Sequence, residues 1–359
     1  MTAAATGKIL RSPGHPAGAL PRAEKAQPLL QVRGLSVRFQ TDAGPLQAVD
    51  GVDLDLHPGE TLAIVGESGS GKSVLSLALM GLLPKIATVT AERLRFAGHD
   101  LLSLAPRDWQ RLRGREMSMI FQEPATALNP VRSVGAQIVE AIRLHEKVSR
   151  KAAWARAVEM LRQTGIPAPE RRAAAYPHEL SGGMRQRAMI AMSLVLRPSL
   201  LIADEPTTAL DVTVQAQILD LLRGLARESG TAIVIITHDL GVVAEMADRV
   251  QVLYAGRAVE SATAAALFDG PEHPYTVGLL GSMPSKGERA EALTPIEGSI
   301  PDLRALPPGC HFHPRCPFAA PRCRAERPPL APVYPGHETA CWFSPLLETL
   351  GEGAGREGT

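Results

Sequence analysis

Strict alternation of apolar and polar residues marks the first part of the chain that has any periodicity. Residues 30–33 and 35–39 alternate in this way, and residues 49–56 repeat the alternation. Because successive side chains of a strand point to opposite faces, this pattern predicts half-buried β-strands, and the turn signal at residues 42–45 separates two of them. An antiparallel β layer is therefore expected before the first fully apolar run.

Three short runs further along contain only apolar residues and alternate with helical patterns. They span residues 62–65, 200–203 and 232–236. Such runs are typical of strands buried on both faces of a sheet, and residues 74–80 and 215–228, after the first two, have helical periodicity. This order predicts a parallel sheet with right-handed crossovers, so the fold class is α/β.

Residues 101–180 differ from both flanks because their pattern is that of helices joined by polar turns. The clearest helix begins after Ser149, whose hydroxyl can cap it. Apolar residues recur on one face of this helix at Trp154, Val158 and Leu161, so that face is expected to pack into a core. A helical subdomain is therefore predicted for about residues 101–180.

Composition changes at both ends of the chain. Residues 1–27 are rich in Ala, Pro and Gly and have neither period, which predicts a disordered tail. After about residue 261 the sequence becomes Pro-rich and irregular, which predicts a small appended domain over residues 261–345, stabilised by something other than a large core. Residues 346–359 are expected to form a flexible tail. The main domain would then span residues 28–260.

The charge balance and the apolar runs exclude several classes of protein. The 359 residues include 38 Lys and Arg against 37 Asp and Glu, a net charge of +1, which gives no sign of a nucleic-acid-binding surface. All apolar runs are far shorter than the roughly 20 residues that cross a bilayer, and none near the N-terminus has the length of a signal peptide. We therefore expect a cytoplasmic protein that does not span a membrane.

The residues between the first apolar strand and its helix match the G-x-x-x-x-G-K-[ST] pattern of a P-loop. Its glycines let backbone N–H groups converge on a phosphate chain, and the helix N-terminus faces the same anion. Lys72 adds positive charge near the β- and γ-phosphates, and the Ser73 hydroxyl can ligate Mg²⁺. A flexible Gly/Ser linker is the alternative. The predicted nucleotide-binding residues are Gly66, Glu67, Ser68, Gly69, Ser70, Gly71, Lys72 and Ser73.

The second apolar strand ends in two acids, Asp204 and Glu205. At the carboxyl end of a strand in a P-loop protein, the first acid can hold Mg²⁺ through water. The second can orient or deprotonate the attacking water. A solvated acidic pair is the alternative reading. We expect Asp204 to be a Mg²⁺ ligand and Glu205 to be a catalytic residue.

A second glycine loop opens a later helix. It contains Ser181, Gly182 and Gly183, and the helix is predicted over residues 185–196. Backbone N–H groups and the helix dipole make this loop a second anion site for the same reasons as the first. Two phosphate-recognising loops in one chain are unusual, so the motifs that accompany them decide the class.

With its neighbours, the second loop resembles the signature sequence of the ATP-binding cassette (ABC) family, at residues 180–187. In that family the signature loop of one subunit closes on the γ-phosphate held by the P-loop of another. The resemblance and the patterns above predict an α/β ABC ATPase, a P-loop NTPase with an antiparallel β subdomain, a helical subdomain and a small irregular C-terminal domain that contains the cysteines.

The resemblance extends to four further positions. It implies that Gln122 is the Q-loop residue that contacts Mg²⁺ or water, that Asp211 belongs to the D-loop beside the nucleotide, and that His238 is the switch histidine. Phe39 falls where the family stacks an aromatic ring on adenine, although an isolated Phe in such a strand is more often a core residue. Glu205, His238 and Gln122 form the implied catalytic set, and Ser73, Gln122 and Asp204 form the implied Mg²⁺ set.

Several longer segments are similar to the dipeptide/oligopeptide importer branch of this family. The similarity covers about residues 29–345. That branch also includes nickel and glutathione importers. The resemblance therefore implies an ATP-driven import mechanism but leaves the identity of the solute open. The segments are residues 66–73, 176–184, 203–211, 237–243, 273–276 and 309–317.

All four cysteines fall in the last fifty residues. Their gaps are wide for zinc knuckles, although His311 and His313 keep a mixed zinc site open. Disulfide bonds are the alternative to a metal site, and they are disfavoured in a reducing cytoplasm. Four thiolates on Pro-rich loops suit an iron–sulfur site, and the resemblance to the peptide importers implies a four-iron, four-sulfur cluster here. Its ligands would be Cys310, Cys316, Cys323 and Cys341.

The resemblance implies an ATP- and Mg²⁺-dependent subunit that powers an importer from the cytoplasmic face of the inner membrane. Its partners would be a second ABC ATPase subunit, either a paralogue or a copy, two integral membrane permease subunits and an extracytoplasmic solute-binding protein, with no nucleic acid. The rival classes are a soluble ABC ATPase of DNA repair or translation, which usually has two cassettes or a coiled-coil insertion, and a P-loop GTPase. No guanine-reading Asn-Lys-x-Asp motif occurs in the chain.

Overall fold

The computed structural model describes residues 27–123, 127–208, 210–282 and 296–346. The tails predicted for residues 1–27 and 346–359 lie outside these ranges, apart from Gln27 and Leu346. Residues 283–295 of the predicted C-terminal domain lie outside them as well.

An antiparallel sheet forms the first layer of the fold, as predicted. Two long strands pair along their whole length, and register shifts between Val32 and Leu35 keep the alternating run of residues 30–39 in one strand instead of two. Three short strands complete the sheet. The strands are β1 (Leu30–Thr41), β2 (Gly44–Leu56), β4 (Ala87–Thr90), β5 (Arg93–Phe96) and β6 (His99–Asp100).

The second sheet has eight strands, in the order β12-β13-β11-β10-β3-β9-β8-β7. The five from β10 to β7 are parallel, which confirms the parallel sheet predicted from the apolar runs. Their carboxyl ends therefore meet at one edge of the sheet. The strands are β3 (Thr61–Val65), β7 (Met117–Ile120), β8 (Leu200–Asp204), β9 (Ala232–Thr237), β10 (Arg249–Tyr254), β11 (Arg257–Thr263), β12 (Ala331–Tyr334) and β13 (His337–Thr339).

Strand β7 corrects the expectation of helices throughout residues 101–180. All four of its residues are buried, and they pair with β8 from Met117 to Ile120. Periodicity cannot separate a strand of four residues, three of them apolar, from a turn of buried helix, which explains the wrong prediction. Here the sheet hydrogen bonds decide the conformation.

Helices cover the remaining regular structure. Ser149 caps α4, since its Oγ accepts the amide of Ala152 at 3.2 Å, and Val158 and Leu161 are buried, as the periodicity predicts. Trp154 is only partly buried. Within the described ranges, no helix is long and apolar enough to cross a bilayer. The helices are α1 (Lys72–Leu79), α2 (Pro106–Leu112), α3 (Val134–His145), α4 (Arg150–Gln163), α5 (Pro169–Ala174), α6 (Gly182–Leu194), α7 (Val212–Ser229), α8 (Leu240–Met246), α9 (Ala264–Asp269), α10 (Pro274–Gly281) and α11 (Pro321–Ala325).

The parallel sheet is covered on both faces, which explains its continuous apolar runs. In β3, Leu62 and Ile64 pack with the antiparallel sheet and α1, whereas Ala63 and Val65 pack with the helices of the opposite face. A third apolar cluster holds α3 to α6 together. Burial on both faces fixes β3 and therefore the position of the loop that follows it.

The C-terminal region packs directly onto this core. Tyr275 and Phe312 belong to the same apolar cluster as Val252 of the main sheet, and β13 extends that sheet by pairing with β11 at Glu260. The buried Glu260 carboxylate also lies 2.7 Å from Nε2 of His337. The described part of this region is therefore stabilised by the cassette core. The division predicted at residue 261 falls inside β11.

Candidate functional site

The P-loop joins β3 to α1 at the carboxyl edge of the parallel sheet. Lys72, the first residue of α1, is 5% exposed. Its Nζ donates to the carbonyl oxygens of Gly66 and Glu67 at 2.7 and 2.9 Å. Burial lowers the pKa of this lysine. The backbone carbonyls of the P-loop therefore hold the ammonium group of Lys72 in place.

Two glycines of the loop have no room for a side chain. A Cβ at Gly66 would lie 2.2 Å from the carbonyl oxygen of Leu253, and one at Gly71 would lie 2.5 Å from that of Ala48. Both residues have positive φ, 152° and 100°. The loop can hold this shape only with glycine at both positions.

A hydroxyl and a carboxylate meet beside the loop. Oγ of Ser73 donates to Oδ1 of Asp204 at 3.2 Å, and Oγ of Ser76 lies 3.4 Å from Oδ2. Burial raises the pKa of Asp204, and hydrogen bonds from these hydroxyls oppose that effect. Oxygen donors of this kind are the ligands that Mg²⁺ prefers, so the residues present fit the cation that accompanies a nucleoside triphosphate.

Glu205 lies next to this pair and has a left-handed backbone, with φ of 46°. Its Oε2 accepts hydrogen bonds from Nε2 of Gln122 at 2.9 Å and from Oγ1 of Thr208 at 2.8 Å, while Nδ1 of His238 lies 3.2 Å from Oε1. Burial raises the pKa of Glu205, but the hydrogen bonds with Thr208 and His238 together with nearby positive charge, including that of Lys72, outweigh this effect and lower the pKa. The structure thus brings Gln122, Glu205 and His238 together, and Thr208 is a fourth residue that the sequence did not indicate.

The second glycine loop forms the N-terminus of α6. Ser181 caps α6, and its Oγ accepts the amide of Met184 at 3.4 Å. Ser181 and Gly182 are exposed, and among the hydrogen bonds of the described residues none joins this loop to the P-loop. Asp211 is exposed as well and caps α7 through the amide of Val214 at 3.0 Å. These groups face outward from the chain that carries them.

Phe39 lies at the end of the antiparallel layer. It pairs with Leu46 of β2 and with Ala87 of β4. Its ring is half-buried and packs against the apolar cluster of that layer. One face of the ring has a packing role, and the exposed part is the surface on which a base could stack. Ala209 of the predicted D-loop and Pro124 of the Q-loop segment lie outside the described residues.

Two residues of the C-terminal region reach the P-loop and were missed by sequence reasoning. The hydroxyl of Tyr275 accepts the amide of Glu67 at 2.8 Å, and the Arg315 guanidinium donates to the Glu67 carboxylate at 2.7 and 3.0 Å. Arg315 is 248 positions from Glu67, so no local pattern could have indicated the contact.

The four cysteines are all free thiols. Burial raises the pKa of Cys316 to about 11. It raises that of Cys341 to about 12, with a smaller effect of the thiols of Cys316, Cys310 and Cys323. Among the described residues, however, no group of three or more His, Cys, Asp or Glu side chains could hold a metal ion as arranged. This arrangement does not fit the predicted four-iron, four-sulfur cluster.

The two histidines of the zinc alternative have other partners. Nδ1 of His313 lies 2.9 Å from the carbonyl oxygen of Cys310, and Nε2 of His311 lies 3.1 Å from the guanidinium of Arg327. The disulfide alternative is equally unsupported, since all four thiols are free.

A P-loop after a buried strand and two acids at the end of another strand of the same parallel sheet define the class of P-loop NTPases. The chain matches the ABC transporter family over residues 49–208 and the C-terminal region of oligopeptide/dipeptide transporters over residues 259–323. It therefore belongs to the ABC transporter family, in the branch that has this C-terminal region.

Similar proteins agree with this assignment. The dipeptide transport ATP-binding protein DppD of Bacillus subtilis is 51% identical over 323 residues, covering 88% of this chain and 94% of that protein. DppD of Escherichia coli is 49% identical over 315 residues, covering 88% and 96%. The dimeric ATP-binding cassette MJ0796, solved with ADP and Pi, has a TM-score of 0.57 at 26% identity, covering 66% of this chain and 98% of that one.

Proposed function

We propose that this chain is the ATP-binding and ATP-hydrolysing subunit that powers an ABC importer of dipeptides or oligopeptides. The observation that carries the proposal is the convergence of Lys72, Asp204, Glu205 and His238 at one sheet edge, in a chain whose C-terminal region matches that of oligopeptide/dipeptide transporters. The names of the two DppD relatives support a peptide as the solute.

The P-loop residues bind the triphosphate. Backbone N–H groups of residues 66–71 and the N-terminus of α1 supply donors, and Lys72 supplies a positive charge that can exchange its carbonyl partners for phosphate oxygens. Ser73, Asp204 and Gln122 would hold Mg²⁺, which neutralises phosphate charge when bound. Phe39 would stack on the base.

Glu205 acts on the attacking water. Its carboxylate, whose pKa is lowered, can accept the proton of the water as the oxygen approaches the γ-phosphorus. Gln122 and His238 hold the carboxylate from two sides. These contacts fix the direction of the oxygen that receives the proton.

The loop of Ser181, Gly182 and Gly183, together with Asp211, would complete the P-loop of a second ABC subunit, either a paralogue or another copy of this chain. The exposure of Ser181, Gly182 and Asp211 supports this arrangement. The dimeric form of MJ0796 supports it too. The isolated chain should therefore hydrolyse ATP weakly.

The remaining partners follow from the importer function. Two integral membrane permease subunits would dock on this chain at the cytoplasmic face of the membrane, and an extracytoplasmic solute-binding protein would deliver the peptide. Nickel, glutathione or another small solute is the second candidate, because the resemblance includes those importers. Both DppD relatives are named as transport proteins, which favours the importer over a soluble ABC ATPase of DNA repair or translation.

Reconstitution tests the proposal. The chain is co-expressed with the permease and solute-binding subunits of a peptide ABC importer from the same organism, purified through a tag on a permease, and placed in proteoliposomes. We expect co-purification and an ATPase activity that rises when the binding protein carries a dipeptide. If only nickel or glutathione stimulates the ATPase, that compound is the solute and the peptide assignment is wrong. Failure to co-purify with any membrane subunit would overturn the importer function.

The iron–sulfur cluster stays a prediction from the sequence. The clustering of Cys310, Cys316, Cys323 and Cys341 in one region supports it, and their arrangement does not. No step of the proposed ATPase mechanism depends on it.

A further inference from the structure

Arg315 lies in a 3-10 turn, His313–Arg315, between Cys310 and Cys316. Its Nη1 donates to Oε2 of Glu67 at 2.7 Å and its Nη2 donates to Oε1 at 3.0 Å. The Arg315 side chain is 5% exposed and that of Glu67 is 31% exposed. Paired, parallel hydrogen bonds from a guanidinium to a carboxylate are stronger and more directional than a single contact.

The guanidinium is itself fixed in place. Its Nε donates to the carbonyl oxygen of Glu297 at 2.9 Å. The group also lies over the rings of Tyr254 and Phe312, at 5.8 and 5.9 Å from their centroids. Little side-chain freedom remains for Arg315, so the position of the turn sets the position of the Glu67 carboxylate.

Tyr275 holds the backbone of the same residue. Its hydroxyl accepts the Glu67 amide at 2.8 Å. Its ring is fully buried, with centroid distances of 4.7 Å to Tyr254 and 5.4 Å to Phe312. Burial raises the pKa of the hydroxyl, which therefore stays protonated. The C-terminal region therefore contacts Glu67 of the P-loop at two points: Arg315 binds its side chain and Tyr275 binds its backbone amide.

Glu67 passes this constraint to the phosphate-binding lysine. Its carbonyl oxygen accepts the ammonium of Lys72 at 2.9 Å, and Glu67 is the second residue of the loop. A loop that is already ordered loses less entropy when a ligand binds than one that must be ordered by the ligand. Contacts on the outer side of the loop can therefore raise nucleotide affinity without touching the nucleotide.

We propose that Arg315 and Tyr275 are positioning residues for nucleotide binding, and that the turn between Cys310 and Cys316 is a structural part of the ATP site. They act through Glu67, which they hold in the conformation that binds phosphate. The inference rests on the ATPase function proposed above and adds a role of the C-terminal region in ATP affinity.

Arg315→Gln in the full-length chain tests the proposal directly. Binding of a non-hydrolysable ATP analogue with Mg²⁺ is measured by titration, and the kcat of ATP hydrolysis is measured at saturating ATP. Loss of a charged hydrogen-bonded pair should raise the Kd of the analogue about tenfold, while kcat changes by less than about twofold. If Arg315 only stabilises the fold, the variant should have a lower melting temperature, and the Kd should not rise selectively while kcat stays unchanged.

Arg304→Gln is the matched control. Arg304 forms a comparable paired contact with Asp302 in the same C-terminal region, and both side chains are about half exposed. None of the contacts described for Arg304 involves the P-loop. This variant should bind the analogue with the wild-type Kd.

Tyr275→Phe keeps the buried ring and removes only the hydroxyl, so it provides a test if Arg315→Gln does not fold. The Glu67 amide then loses its acceptor, and the Kd should rise about threefold to tenfold. In the double variant Glu67→Gln/Arg315→Gln, the second substitution should add less than about twofold to the effect of Glu67→Gln alone, because Arg315 acts through Glu67.

Folded Arg315→Gln and Tyr275→Phe variants with the wild-type Kd would overturn the inference. Multiplicative effects in the double variant would also overturn it, since Arg315 would then act by another route. A wild-type chain that binds no ATP analogue would instead refute the proposed ATPase function, and this inference with it.

Discussion

Nδ1 of His238 lies 3.2 Å from Oε1 of Glu205, although 33 positions separate the two residues. Glu205 follows β8 and His238 follows β9, and these strands are parallel neighbours. Parallel pairing therefore places the residue after each strand at the same edge of the sheet. The contact defines the part of the site where the attacking water would be handled, and two predictions concern it.

Glu205→Gln should separate ATP binding from hydrolysis. The amide keeps the size of the side chain but cannot accept a proton, so kcat should fall at least about 100-fold while the Kd for ATP stays within about threefold. Glu228→Gln, an exposed residue near the end of α7, is the control. Hydrolysis at the wild-type rate by Glu205→Gln would refute the assigned role.

His238→Ala should reduce turnover through the orientation of Glu205. One of the three contacts that hold the carboxylate is lost, so we expect kcat to fall about 10- to 100-fold with little change in the Kd for ATP. Thr208→Val removes another of these contacts and should have a smaller effect in the same direction. Steady-state hydrolysis by the assembled transporter provides the measurement, and an unchanged kcat in both variants would contradict the shared role.

Gly66→Ala should abolish ATP binding and lower stability. Its Cβ would lie 2.2 Å from the carbonyl oxygen of Leu253, a backbone atom that cannot move without distorting β10, and 2.8 Å from Oγ of Ser70. Gly224→Ala in α7 is the matched control, because a Cβ there meets nothing within 4 Å. It should raise the free energy of unfolding by about 0.5–1 kcal/mol. Urea unfolding and analogue binding together decide the comparison.

His273 should make the protein acid-sensitive. Complete burial lowers its pKa to about 3. Below the unfolded value near 6.5 the unfolded chain binds the proton more readily, so stability is lost as the pH falls from about 6.5 toward 3. This single group should cost about 2 kcal/mol between pH 7 and pH 5. Its backbone N–H donates to Glu260 at 3.0 Å, and its Nδ1 accepts the amide of Tyr275 at 3.1 Å.

His273→Asn isolates that contribution. Asparagine can still cap α10 and cannot be protonated, so the loss of stability between the two pH values should be smaller than in the wild type by about 2 kcal/mol. His99→Asn, the same substitution on the exposed strand β6, is the matched control. Urea unfolding at both pH values gives the comparison, and equal losses in wild type and His273→Asn would contradict the prediction.

Metal analysis tests the predicted iron–sulfur cluster. Protein purified without oxygen should be brown and contain about four iron atoms and four sulfides per chain if the sequence prediction is correct. Cys341→Ser should then lose the colour. Colourless protein with stoichiometric zinc, or with no metal, would refute the cluster.

The sequence predicted those features that depend on local patterns. The apolar run of β3, the glycines after it and the acids at the end of β8 each combine a local conformation with a local chemistry, so they could be located without a structure. Ser149 is another example, because a cap needs only the residues of its own turn. These features also carry the ATPase assignment.

Other features depend on contacts between distant segments and could not be predicted. Strand β7 has too few residues for its period to be recognised, and its conformation comes from pairing with β8. The hydrogen bonds of Tyr275 and Arg315 with Glu67 form because β10 and β11 bring the C-terminal region beside the P-loop. Thr208 was missed because a threonine after an acidic pair has no distinctive pattern.

The left-handed backbone at Glu205 carries a further consequence. A residue with a Cβ is strained there, and glycine would relax the strain. The substitution that makes the folded chain easier to form at this position is thus one that removes the proton acceptor. At this position the backbone conformation that favours folding and the side chain proposed for hydrolysis therefore make opposite demands on the residue.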